Sequence, residues 1–143
     1  MKKSATVNDL GDWRGLGTAL HLAESGHEVT IVTAAPVVGG GLFHSAADVP
    51  LRARFTAAGG TMRPHVVVLG WDERGATVRS TVAGVVETVA ADTLVIAETP
   101  VSETSVAAEL TTNGVPFHEI GDCVAPRRAS LAFFEGRELG LRL

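Results

Sequence analysis

The 143-residue chain has no tyrosine, two tryptophans, five phenylalanines and a single cysteine. One thiol excludes an internal disulfide framework and suits a reducing compartment, so a cytoplasmic location is expected. Positive charge is also scarce: 12 Lys and Arg stand against 16 Asp and Glu, a formal charge of -4. With no basic stripe to neutralise phosphates, nucleic-acid binding is not expected. No apolar run approaches the roughly 20 residues that span a bilayer, and no membrane contact is expected. Lys2 and Lys3 make the Met1–Lys3 segment basic, but residues 4–12 behind it form no signal-peptide core. His21, His27, His44, His65 and His118 fall at spacings that match no metal pattern. The serines lack a G-x-S-x-G context. Cys123 reads as a structural thiol, and Trp13 and Trp71 read as packing residues.

What the chain has is glycine and aliphatic residues. Sixteen glycines, 45% hydrophobic and 20% charged residues describe a globular α/β protein with tight turns. The length suits one domain, residues 1–143. Residues 5–9 read as a first strand. Residues 13–25 read as a helix, because Leu16, Ala19, Leu20 and Ala23 form one apolar stripe, with Asp12 as N-cap and Gly26 as the residue that ends it. "EVTIVT", residues 28–33, is a buried strand, and "VVGGGLF", residues 37–43, a loop. A second helix is expected over 48–58, with Pro50 in its first turn. "HVVVLGWD", "ATVRSTV" and "VVETVAA", split by turn residues, predict an antiparallel meander. "TLVIA", residues 93–97, returns to a buried strand. A short helix over 106–112, a last strand over 116–122 and a closing helix over 126–141 complete the order. It predicts a three-layer, Rossmann-like α/β fold of the FAD/NAD(P)-binding type, a mostly parallel sheet with helices on both faces and a β-meander on one side.

The first β-α-β unit carries Gly11, Gly15 and Gly17, spaced G-x-x-x-G-x-G where a dinucleotide-binding turn has G-x-G-x-x-G. Counting back from "LHLAESGHEVTIV" puts the fingerprint's alanine on Ala19 and its third glycine, which serves helix packing, on Gly15. The two glycines that serve phosphate then fall on Leu10 and Asp12. A carboxylate at Asp12 suits the helix dipole but repels a diphosphate; Arg14 could compensate, while Gly15 and Gly17 leave room for N–H groups to approach an anion. Thr33 and Ala34 stand where an acidic residue would grip a ribose 2′-hydroxyl. These substitutions weigh against tight binding of a whole dinucleotide. A mononucleotide such as ADP, held through adenine and ribose beside residues 10–17 and 33–35, fits better.

"IGDCVAPRRASLAFFEGRELG" is the other informative stretch: a strand ending in Gly121-Asp122, then a helix with Arg127 and Arg128 in its first turn. Two cations there oppose the helix dipole and call for a partner: a phosphate, a carboxylate or another domain. Together with "GDWRGLGTALHLAESGHEVTIVT" and "ADTLVIA", this stretch resembles the C-terminal part of the trimethylamine dehydrogenase family, which includes dimethylamine and histamine dehydrogenases and is related to 2,4-dienoyl-CoA reductase. The similarity covers residue 7 to about residue 141 and is strongest at the two ends. It implies a domain of a larger NADH:flavin oxidoreductase-type flavoprotein, in which a flavin-bearing barrel with an iron–sulfur cluster precedes FAD- and NAD(P)H-domain-like modules. It also implies that an aspartate such as Asp122 bonds the FAD ribityl chain. The barrel and the FAD-binding β-α-β unit have no counterpart here, so FMN, FAD and the cluster are expected only in the parent enzyme. Glu98-Thr99-Pro100 stand where the family has A-T-G.

These residues lead us to expect a nucleotide-binding or vestigial binding domain that takes ADP or NAD(H) weakly or not at all. Its role would be mainly structural, with no catalytic residues of its own and the rest of a larger flavoenzyme as partner. The alternative is a small stand-alone assembly subunit of an oxidoreductase with no nucleotide; Gly136, Gly140, Phe133 and Phe134 would form its packing face. A free-standing NAD(P)H-dependent reductase is disfavoured by the missing turn glycines.

Overall fold

A computed structural model describes residues 3–8 and 11–143. Two compact units emerge, Met1–Thr99 and Pro100–Leu143. In the first, strand β1 (Lys3–Asn8) leads to helix α1 (Trp13–Glu24) and β2 (Glu28–Val32). A 3-10 turn (Gly40–Ser45) and α2 (Asp48–Ala57) come next, then β3 (Thr61–Arg63), the hairpin strands β4 (Val66–Asp72), β5 (Gly75–Ser80) and β6 (Val86–Val89), and β7 (Thr93–Ala97). Among the described residues β3-β2-β1-β7 form a parallel sheet and β4-β5-β6 an antiparallel one. The chain is thus α/β with a parallel sheet and an antiparallel sheet, as its FAD/NAD(P)-domain pattern predicts.

Alternation along β2 explains the layering. Val29 and Ile31 join Leu16, Ala19, Leu20 and Ala23 of α1, with Leu51 and Phe55 of α2, in one core. Val32 points the other way and joins Val66, Ala76, Val78, Val89 and Ala91 in a second core, to which Val68 and Leu94 add. Within this unit the parallel sheet therefore lies between a helical layer and the meander, not between two helical layers. The expected apolar stripe of α1 is the buried one. Asp12 caps the helix, and Gly26 lies just beyond it at φ +88 with its N–H on Ala23 O. The sequence gives no sign of β3: three residues carry no readable period, and they form a strand because β2 offers them an edge.

The second unit holds α3 (Ser105–Thr112), a 3-10 turn (Gly121–Cys123) and α4 (Ala129–Gly140). The strand expected over 116–122 is absent: the segment lacks regular structure until the 3-10 turn. A strand needs a partner ladder, and none of the described strands pairs with it. The closing helix starts later than expected. Arg128 is its N-cap residue, with an extended backbone at φ -74 and ψ 145, so neither Arg127 nor Arg128 lies in its first turn. Gly121 is the unit's one buried residue among those described.

Candidate functional site

α1 begins where β1 ends, and β2 runs parallel to β1 with Val7 opposite Val32. The start of α1 and the end of β2 therefore share one edge of the sheet, beside the point where the strand order switches from β2 to β7 around β1. That is the place where open α/β sheets take ligands. Leu10 lies outside the described residues. Gly11, Asp12, Arg14 and Gly15 are gathered at this edge; Gly17 sits farther along α1, under the Trp13 ring.

Asp12 occupies the helix N-terminus itself. One carboxylate oxygen accepts the Arg14 N–H at 2.9 Å, and the other accepts Arg14 Nε at 2.9 Å and Arg14 NH2 at 2.7 Å. Burial pushes the Asp12 carboxyl up, but the Arg14 hydrogen bonds and charge, with the Gly15 N–H, outweigh it and hold the group below its ordinary value. Asp12 in turn raises the Arg14 guanidinium, so the two stay charged together. The N–H groups that would bind a phosphate are already served by a carboxylate, and the cation that could compensate is paired with that same carboxylate. These residues do not fit a dinucleotide diphosphate.

Thr33 is almost fully buried. Its hydroxyl accepts the Ala35 N–H at 3.2 Å, its N–H donates to Arg63 O at 3.1 Å and its carbonyl accepts the Val66 N–H at 2.8 Å. It fastens β2 to the neighbouring segments, and only Ala34 beside it is exposed.

A feature that no sequence motif announces closes the turn from another side. The glycine loop after β2 returns to α1, and an added Cβ on Gly11 would lie 2.8 Å from Gly40 N and 3.2 Å from Gly41 N. Arg52 on α2 holds this loop through Val38 O at 3.1 Å and pairs with the buried Asp48 at 2.8 Å. The i,i+4 spacing of Asp48 and Arg52 is the sequence signal that could have revealed this pair.

Asp122 belongs to the second unit and is exposed. Its carboxylate accepts the Arg127 N–H at 3.3 Å. Gly121, at φ +73, donates its N–H to Glu135 at 2.6 Å, and the other Glu135 oxygen takes Arg127. The Gly121 N–H, opposed by desolvation and aided by Arg127, keeps the Glu135 carboxyl below its ordinary value. The partner that Arg127 called for is thus a carboxylate of the helix just after it. Cys123 is half-buried with its thiol on Ile120 O at 3.0 Å, and the unit carries an open groove of about 270 Å³ between Val106, Leu110, Phe117 and Cys123. Gly136 faces Ile120, whereas Phe133 and Phe134 are exposed. Trp13 and Trp71 are surface residues at 57% and 41% exposure, not packing residues: Trp13 stands on the outer side of α1, and Trp71 lies beside the turn of its hairpin. Among the described residues no group of three or more His, Cys, Asp or Glu is gathered, and no helix is long and apolar enough to cross a membrane.

No protein-family model and no curated protein matches the sequence. Solved structures do. Histamine dehydrogenase from Rhizobium sp. 4-9 superposes with a TM-score of 0.87 at 18% identity over 96% of this chain and 22% of its own. The 6-hydroxypseudooxynicotine amine oxidase of Pseudomonas geniculata N1 gives 0.87 at 21% identity over 98% of this chain and 22% of its own. A 2-naphthoyl-CoA reductase gives 0.80 at 23% identity over 100% of this chain and 21% of its own. At these identities the likeness is one of fold. The present chain spans about a fifth of the length of those proteins.

Proposed function

We propose that this chain is a nucleotide-binding-like domain of a flavin-dependent oxidoreductase of the amine dehydrogenase or NADH:flavin oxidoreductase kind, structural in role and without catalysis of its own. The observation that carries the reading is the Asp12 carboxylate, which takes up the helix N-terminus and Arg14 where a diphosphate would need both free. The fold likeness to histamine dehydrogenase and to the amine oxidase supports the parentage. Flavin and any iron–sulfur cluster would belong to the rest of that cytoplasmic enzyme, whose surface would cover the apolar side chains exposed in the second unit, among them Phe133, Phe134 and Leu141. The same exposed side chains favour the second reading, a separate assembly subunit.

Calorimetric titration with ADP, NADH and NADPH tests the proposal. The expected result is weak ADP binding and no saturation by NADH at low micromolar concentration. Saturable NADH binding in that range would overturn it. Full inertness to every nucleotide would favour the assembly subunit.

A further inference from the structure

Val38 and Leu42 are buried in the helical core and root both ends of the three-glycine segment 39–41. Gly39 sits at φ +73, where an added Cβ would come 2.8 Å from Leu16 Cδ2; at Gly11, φ +67, one would come 2.8 Å from Gly40 N. Glycine at position 11 lets the two backbones meet this closely, and glycine at position 39 lets the segment turn against Leu16; an added Cβ on Gly40 would meet nothing within 4 Å. The Arg52 side chain fastens the segment from outside. Arg52 NH1 donates to Val38 O at 3.1 Å, its NH2 donates to Asp48 at 2.8 Å, and its guanidinium lies 6.0 Å from the Phe43 ring centroid. Asp48 is only 5% exposed, so this charge-assisted pair is shielded from solvent and directed.

We infer that residues 39–41 form a strap latched by Arg52 against the first turn, and that the closed strap denies the Gly11 side of that turn to a diphosphate. This rests on the nucleotide-binding-like reading above and adds a second closure to it. Asp12 answers the charge that an anion would seek, and the strap removes the space its oxygens would need. The two act through different elements, α1 and the β2–α2 connection, so they can be released separately.

Amide hydrogen exchange at Gly40, Gly41 and Leu42 reads the strap directly, with no nucleotide present. In Arg52→Gln these amides should exchange at least tenfold faster while those of β2 stay unchanged. Arg52→Lys keeps a cation beside Asp48 and serves if the glutamine variant does not fold; one ammonium cannot reproduce the fork to Val38 and Asp48, so exchange should rise there too. Unchanged exchange in a folded variant overturns the latch. ADP titration of Asp12→Gly, alone and combined with Arg52→Gln, reads the closure: the combined variant should bind at least tenfold more tightly. Equal, measurable affinities overturn the closing role. Faster exchange with no ADP binding in either variant upholds the strap and sinks the nucleotide-binding reading instead.

Discussion

Asp12 does two things that a glycine in its place could not: it closes the helix N-terminus and it neutralises Arg14. Removing the cap with Asp12→Ala should cost about 0.5–2 kcal/mol of stability, measured by urea unfolding. Asp12→Gly should raise NADH affinity, read by the same titration as the wild type. Asp12→Asn separates charge from occupancy, because asparagine caps as well as aspartate but carries no charge. If charge is the barrier, Asn and Gly both gain affinity; if occupancy is, only Gly does. The pH dependence has a defined sign. The folded-state pKa of Asp12 lies below its ordinary value of 3.8. Its stabilising contribution is therefore complete above that value and lost as pH falls through the folded pKa. Wild type and Asp12→Asn should converge in melting temperature under acid and differ most near neutrality. That Asp12 stands at the N-terminus of α1 was legible because the helix behind it fixes the register. The strap was not legible, since the contact of Gly11 with Gly40 and the grip of Arg52 on Val38 join parts of the chain that no local pattern links.

At the scale of elements, the legible ones were those whose sequence carries its own period or punctuation. The stripe of α1 and the turn residues Glu73 and Arg74 between β4 and β5 are cases, and both fall where expected. Asp72 even mirrors Asp12, accepting the Arg74 N–H and pairing with its guanidinium, which lowers the Asp72 carboxyl. The expected strand over 116–122 failed for the opposite reason: its residues suit a strand, but strand formation is decided by a neighbour. The late start of α4 has a local cause, since the Arg127 N–H turns back to Asp122 and its Nε to Ala125 O. In the meander, Gly75 lies so close to the next strand that an added Cβ would stand 2.2 Å from Val89 O and 2.7 Å from Ala91 N. Backbone atoms there cannot swing aside as a side chain would. Gly75→Ala should destabilise the protein by at least about 1–3 kcal/mol, seen as a lower midpoint in denaturant with the meander amides losing protection first.

For the whole molecule the two units differ in kind. The first contains both apolar cores, and Phe55 at its centre is fully buried; Phe55→Ala should cost about 3–5 kcal/mol, measured by denaturant unfolding. The second has no buried apolar side chain among the described residues, while Val101, Phe133 and Leu143 are 91%, 79% and 87% exposed. Backbone amides of α3 and α4 should accordingly exchange at least about a hundredfold faster than those of α1 and β2, by native-state exchange. Comparable protection in the two units would contradict that difference. The parallel sheet carries one more consequence, which concerns the order of assembly. β1 pairs on one side with β2 and on the other with β7, where Ser4 meets Thr93. Its first edge is satisfied as soon as β2 follows it, but the second waits for a loop of roughly 90 residues to close, an entropic delay that precedes any reward from the ladder. Until β7 leaves the ribosome, β1 offers an open edge to any extended chain nearby. Crowding on the polysome, rather than the stability of the finished domain, is then the circumstance in which this fold is most exposed to aggregation.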